Sequence, residues 1–379
     1  MLDWLIVGGG PQGRHVGACL RRAAPAAAIA VLDDRPALAA WRRRADACGM
    51  RFLRSSGAHH LGRRADALRR FAADHGFDDS HHLGYYRRPS RALFEAHAEQ
   101  ATAGLDHIAT RAQAIEPAAG HWRIAAADEP PLRARRVVLA LGPNAPDRPA
   151  WGGAAEHVFD AGFRADTGPA GARVAVVGGG ITGAQLALSL AATGRDVCWV
   201  TRSAPRAADF DSDPCYAGAK CLAPFARLPI ADRSAALAAA RLPGTLPPDV
   251  MARITAALAA GEIAWRRGEV TAQDDAGLRL ADGRRIDADR VILATGFEPR
   301  PRANSLPGAT IARLGLSSDA TGHLHLDDTL EAAPGLHVVG RPASLQLGPM
   351  AGNIRGARLA GPRLAAIAAA EDGPLARRA

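Results

Sequence analysis

Gly8, Gly10 and Gly13 follow the apolar run Leu5-Ile6-Val7 in the pattern Gly-x-Gly-x-x-Gly, and a helix-forming segment runs on to about Arg22. The first glycine permits a tight turn, the second lets a pyrophosphate approach the backbone, and the third lets helix and strand pack closely. The N-terminus of the helix adds free N–H groups and positive potential for the same phosphates. Ile29-Ala30-Val31-Leu32 reads as the next strand and ends in Asp33, 20 residues past Gly13, where a carboxylate accepts hydrogen bonds from a ribose 2′-hydroxyl. A strand before, a helix after and an acid at this distance together point to a bound dinucleotide.

The unit recurs 170 residues later. Val174-Ala175-Val176-Val177 leads into Gly178, Gly180 and Gly183, then a helix through Ala192, then the strand Val197-Cys198-Trp199-Val200. A second dinucleotide is therefore expected. Here the strand ends in Thr201-Arg202-Ser203 with no acid. Arg202 stands where a carboxylate would repel a 2′-phosphate and a guanidinium would bind it, which selects NADPH over NADH.

The elements that must position these turns are legible from apolar runs. Val137 to Leu141 and Val291 to Ala294 read as buried parallel strands that run into glycine turns, at Gly142 and at Thr295-Gly296. The stretch from Pro143 to Gly171 reads as a crossover to a second domain, and Thr295 to Arg302 as the crossover back. The fold expected is α/β with two Rossmann-like dinucleotide-binding domains, one inserted in the other. Residues 1–150 open the first domain, 151–294 form the NADPH domain, and 295–379 close the first. A last strand ends at Gly340, and a helix is expected from Pro349 through Ala369. Its N-terminal turn, Gly348 to Asn353, would direct positive potential at a neighbouring ligand; the alternative is a well-capped core helix.

Composition removes several classes. With 48% hydrophobic and 22% charged residues, the chain is neither disordered nor fibrous. No apolar run approaches a membrane span and the N-terminus does not read as a signal peptide, so a cytoplasmic location is expected. Five scattered cysteines suggest no disulfide framework and a reducing compartment. The net charge of +9 raises the question of nucleic acid, but the arginines are dispersed on helix faces without interleaved aromatics, so no nucleic-acid partner is expected. The pairs His59-His60 and His81-His82 lack completing ligands, and no metal is expected. Lys220 is the only lysine, inside a polar loop, a hint that an amine rather than a guanidinium is wanted there.

These residues resemble the two-dinucleotide flavoprotein superfamily over nearly the whole chain, and within it the class B flavoprotein monooxygenases, especially the ornithine and lysine N-monooxygenase branch. The glycine motifs and the Leu293-Ala294-Thr295-Gly296-Phe297 link belong to the wider superfamily. The narrower likeness rests on Trp41 with Gly49-Met50-Arg51-Phe52-Leu53-Arg54, on Arg88-Pro89-Ser90-Arg91 with Phe94, and on Asp209-Phe210-Asp211-Ser212-Asp213-Pro214 ahead of Lys220 and Pro224-Phe225. The resemblance implies FAD in the first unit, with the Gly348 to Asn353 turn at the flavin pyrimidine edge. It places Arg54 where the family's lysine binds a substrate carboxylate, and makes Lys220 a candidate contact to NADPH phosphate or substrate. Trp151 through His157 is similar to the fingerprint of Baeyer–Villiger and related monooxygenases in its first part only. Two features depart from the pattern: the chain is shorter than the ornithine and lysine enzymes, and Arg341 follows Gly340 where many of these flavoproteins carry an Asp for the ribityl chain.

The activity so implied is oxygenation of a small molecule with NADPH and O2 through a C4a-hydroperoxyflavin, a neutral amine being the expected acceptor and a sulfide or ketone the next. The rivals are a reductase of the pyridine-nucleotide-disulfide superfamily and a non-catalytic dinucleotide-binding redox sensor. Against the reductase, the usual C-x-x-C or C-x-x-x-x-C is missing, since five residues separate Cys215 from Cys221. No residue is singled out as catalytic acid or base.

Overall fold

A computed structural model describes residues 1–127, 129–153 and 155–372. The strand Leu2–Val7 is apolar and buried on both faces from Trp4 to Val7, as a strand covered on both sides must be. It lies at the centre of a sheet, parallel to Ile29–Leu32 on one side and to Leu132–Leu139 on the other, with Val7 beside Leu32 and Leu139. Leu336–Val338 extends the sheet next to Leu132–Leu139, and Asp106–Ile108 next to Ile29–Leu32. All these strands finish at one rim, the end of an open α/β sheet where ligands bind. Leu5, Ile6, Val31, Val137 and Leu336 are fully buried in this core. Truncating one of its leucines to alanine would cost about 2–5 kcal/mol.

The second sheet has the same plan. Arg173–Val177 is flanked in parallel by Asp196–Thr201 and Arg290–Leu293, with Ile263–Arg267 and Glu156–His157 outside them. All five strands lie between residues 156 and 293, so the chain leaves the first sheet once and returns once. The outgoing and returning segments pair with each other. Asp147 N donates to Gly296 O at 3.0 Å, Glu298 N donates to Ala145 O at 2.9 Å, and the Thr295 hydroxyl donates to Asp147 O. The link glycine Gly296, at φ +95°, thus sits in a two-stranded connection between the sheets.

Two expectations are corrected. The last helix spans Ile354–Asp372, not Pro349 onward. Gly348 takes φ +81° after the short helix Ser344–Leu347, and the chain makes a separate turn in which Asn353 N donates to Met350 O before the helix begins. Gly361 of that helix packs so closely on Pro11–Ala23 that a Cβ would lie 2.7 Å from the Cys19 sulfur. The cysteines are also not all free. Cys215 and Cys221 form a disulfide, with Cα atoms 5.5 Å apart, because the turn Pro214–Ala217 folds one back toward the other. Scatter along the sequence hid a pair brought together by a local turn.

Candidate active site

The two glycine turns are geometrically alike. Gly8 has φ +117° and Gly178 φ +145°, and a Cβ on either would meet a neighbouring carbonyl oxygen, of Ala140 or of Ala294, at 2.3 Å. A Cβ on Gly13 would lie 2.0 Å from Gly8 O, and one on Gly183 2.2 Å from Gly178 O, so only glycine lets the helix approach the turn. Gly10 and Gly180 differ from these: nothing of the protein lies within 4 Å of an added Cβ. They are the N-cap residues of the helices Pro11–Ala23 and Ile181–Ala191, and neither helix has a side-chain cap. Open space beside uncapped N–H groups is what a phosphate requires.

At the end of Ile29–Leu32, the Asp33 carboxylate accepts from Gly9 N at 2.8 Å and from the amide of Arg35 at 3.0 Å. Burial pushes its pKa up, but the Gly9 amide and Arg35 outweigh this and the net shift is downward. Asp33 is held charged at the rim, next to a cleft of about 750 Å³ lined by the ends of all four central strands. In the second sheet the matching position belongs to Thr201, one residue before Arg202. A Cβ on Gly179 would lie 3.5 Å from Thr201 Cβ, as one on Gly9 would lie 3.2 Å from Asp33 Cβ. Thr201 is pinned by its bond to Ser203 O and by the Trp265 indole N–H, and Arg202 stands exposed just beyond it.

Several buried polar atoms at the first rim have no partner among the described residues: Gln12 Oε1, Thr110 Oγ1, Arg44 Nε and Arg341 Nε. Gln12 spends its amide N–H groups on Ala351 O and Asn353 O, at 3.0 and 2.8 Å, which ties the first glycine turn to the Gly348 to Asn353 turn. Arg44 lies near Gly142, at φ +76°, and over the Phe297 ring at 5.5 Å. Burial lowers the Arg44 pKa to about 10. Gly340 has φ +85°, and Gly348 is tight against Leu222 at 2.7 Å from an added Cβ. Thr110 and Gln12 are residues the motif does not name; Gln12 occupies an x of Gly-x-Gly-x-x-Gly, and nothing in the pattern marks it. Unsatisfied buried donors and acceptors along the first rim, beside a phosphate-ready turn, fit a dinucleotide there, and the second turn repeats that geometry for another.

Arg54 is already occupied. Its guanidinium donates to the carbonyls of Ala208, Asp209, Phe210 and Thr245 and to the Thr245 hydroxyl, at 2.7 to 3.2 Å. A carboxylate could reach it only by displacing these partners. Three further contacts join the same two units. Asn353 donates to Asp211 at 3.0 Å, buried Arg88 pairs with Asp249, and Arg43 donates to the carbonyls of Phe159 and Asp160. Trp41 packs on Phe94 at 5.2 Å, and Ser90 caps the helix Arg91–Ala101, so the segments carrying the narrower likeness build the wall that meets the second sheet. Lys220 is exposed on the helix Ala219–Arg227, next to the disulfide.

His157 is fully buried on the outer strand Glu156–His157 of the second sheet. Its Nδ1 accepts from Phe159 N at 3.1 Å, and burial lowers its pKa to about 4. It braces a turn; its neighbour Ala154 lies outside the described residues. His15 of the helix Pro11–Ala23, with His59, His60 and His97, each have a pKa lowered to about 4 chiefly by burial. Among the described residues no group of His, Cys, Asp and Glu could hold a metal ion, and no helix is long and apolar enough to cross a membrane.

No curated protein matches the sequence. Solved structures share the fold. Ornithine N-hydroxylase from Kutzneria sp. 744 superimposes with a TM-score of 0.78 at 17% identity, covering 98% of this chain and all of that one. A flavin-containing monooxygenase from Stenotrophomonas maltophilia gives 0.63 at 22%, over 98% and 99%. A bacillithiol disulfide reductase from Bacillus cereus gives 0.64 at 17%, over 98% and 99%. The family model for pyridine nucleotide-disulphide oxidoreductases matches residues 2–354. The two glycine turns therefore belong to an FAD- and NADPH-dependent oxidoreductase, and the chain is a member of the pyridine nucleotide-disulphide oxidoreductase family.

Proposed function

We propose that the protein is a monooxygenase that uses NADPH and O2 to hydroxylate an amine nitrogen of an amino acid or related small molecule. The observation that carries this reading is the tie between the two sheets. Arg54, Asn353, Arg88 and Arg43 fix the second dinucleotide unit against the first through carbonyls and carboxylates. A fixed cleft suits a reaction in which the nicotinamide nucleotide stays beside the flavin through turnover and keeps water out. FAD, when bound, accepts hydride from NADPH and activates O2.

The chain's own part is placement and charge. Gly8, Gly10, Gly13 and Asp33 would hold the adenosine and phosphate end of FAD, with Gly142, Gly340, Gly348 and Asn353 along its remaining length. Gly178, Gly180, Gly183 and Arg202 would hold NADPH, and Thr295 and Gly296 keep the connection between the two in register. The backbone of the Gly348 to Asn353 turn, anchored by Gln12, would face the flavin pyrimidine edge and favour negative charge there. Lys220 is proposed to meet NADPH phosphate or substrate. The test is turnover with amines and amino acids under isotopically labelled O2. One labelled oxygen in a hydroxylated amine per NADPH consumed supports the reading; NADPH oxidation without label in any product refutes it.

One observation favours a second reading. The Cys215–Cys221 disulfide lies on the segment whose Leu222 packs on Gly348, beside the proposed flavin edge. In a disulfide reductase this pair would receive the electrons. Anaerobic NADPH oxidation that depends on an added disulfide, and is abolished in C215S/C221S, would establish it.

A further inference from the structure

We propose that Arg341 grips the FAD pyrophosphate from the side of the cleft opposite the first glycine turn. The position follows Gly340 at the end of Leu336–Val338, and Arg341 lines the same cleft as Val7, Asp33 and Leu139. Its strand is second from Leu2–Val7 in the sheet, about 10 Å away at the usual strand spacing. A phosphate pair in the groove would thus have backbone N–H groups on one flank and a guanidinium on the other.

The surroundings of Arg341 leave it without an anion of its own. Its buried Nε has no partner among the described residues. Asp319 is the acid that faces it, and that carboxylate is already taken: Oδ2 by the Ser234 hydroxyl and the His323 ring, Oδ1 by Thr321 and the His323 amide. The other charge facing it is Arg241, a second cation. Burial, and after it the Arg241 charge, work against the charge of Arg341; Asp319 offsets them only in part, and the Arg341 pKa is lowered. Gly352 closes against its stem, where an added Cβ would lie 3.4 Å from Arg341 Cβ.

Arginine has donors and no acceptor, so it cannot do what an acid does here, which is accept from ribityl hydroxyls. Its planar fork matches two phosphate oxygens, and a charge-assisted pair of that kind is the strongest contact available to it. An unpartnered guanidinium on a groove built for a dinucleotide is matched by the two negative charges of a pyrophosphate.

The experiment titrates the full-length, flavin-free protein with FAD, FMN and riboflavin, which carry two phosphates, one and none. In R341M the FAD dissociation constant should rise about ten- to a hundredfold, the range expected for a charge-assisted hydrogen bond. FMN should lose less, and riboflavin should change by less than about twofold, since it has no phosphate for this contact to act on. R341K should recover part of the loss and R341D should bind FAD more weakly than R341M. Equal losses for riboflavin and FAD would overturn the proposal, as would R341D binding FAD as tightly as the unaltered protein. Unchanged FAD affinity with a shifted flavin midpoint potential would also overturn it, by placing Arg341 at the pyrimidine edge. Should R341M not fold, R341K alone decides: weaker FAD with unchanged riboflavin upholds the assignment, and parallel changes sink it.

Discussion

Replacing Arg54 by alanine separates two jobs for this residue. As a clamp it makes five hydrogen bonds to the Ala208 to Phe210 segment and to Thr245. Hydrogen bonds to a charged group contribute about 1.5–3 kcal/mol each, but they are not additive, and water can reach carbonyls that a half-buried side chain leaves. A loss of about 3 kcal/mol is a fair sum, near the low end for removing one partner of a buried charged network. For a unit of about 150–250 residues this lowers the midpoint of thermal unfolding by roughly 6–12 °C. The second sheet would also lose its register on the first, and a displacement of about 1 Å between reacting groups can slow a reaction about a hundredfold. Anaerobic stopped-flow reduction by NADPH should therefore slow by about tenfold or more while bound FAD is retained. R54K, with its donors at one point rather than on a fork, should recover only part of either loss. If R54A unfolds and is reduced like the unaltered protein but needs more than about tenfold more substrate, the residue serves a substrate carboxylate and the clamp argument fails.

The open glycines give a paired test: G10A and G180A should each change stability by less than about 1 kcal/mol, because both N-cap backbones are extended and a methyl meets nothing. G10A should nevertheless purify without FAD, and G180A should keep FAD while NADPH binding weakens more than about tenfold; normal nucleotide affinity in both would remove the phosphate assignment. R202A should lower the preference for NADPH over NADH about ten- to a hundredfold, and an unchanged ratio would show that Arg202 does not meet the 2′-phosphate. Acid should destabilise the fold through His15, His59, His60 and His97. Their folded pKa values of about 4 lie below the ordinary 6.5, so the unfolded chain takes up protons first as pH falls. Their contribution is complete above about pH 6.5 and falls toward pH 4, by at most about 1.4 kcal/mol per pH unit for each histidine, which denaturant titrations at pH 7 and 5 would register. A flat profile between those values would mean these rings are hydrated in solution.

Local sequence was enough for what local geometry dictates. A glycine that must take φ +117° or +145° beneath a carbonyl can be read from its type and its place after an apolar strand, and so both Gly8 and Gly178 turns were legible, with the strands before them and the helices after. Asp33 was legible too, because its distance from Gly13 is fixed by one helix and one strand. Reading Arg202 in the corresponding place was off by one residue, since register between Asp196–Thr201 and its neighbour is set by sheet pairing, which puts Thr201 there. A favourable capping signal places the start of the C-terminal helix at Pro349, but the carbonyls of Ala351 and Asn353 accept from Gln12 across the chain in a separate turn, and the helix begins at Ile354.

Side-chain roles were decided only by the assembled structure. An arginine can pair with a carboxylate, a phosphate or a set of carbonyls, and its type does not say which. Arg54 goes to carbonyls because folding brings the Ala208 to Phe210 segment to it from more than 150 positions away, while Arg341 keeps its donors because Asp319 is already satisfied. The sequence by itself determined the two dinucleotide turns, because their constraint is steric and spans a few residues. Only the tertiary structure decided which charges are spent on the protein and which remain for ligands, because that depends on what long-range packing places within hydrogen-bond reach.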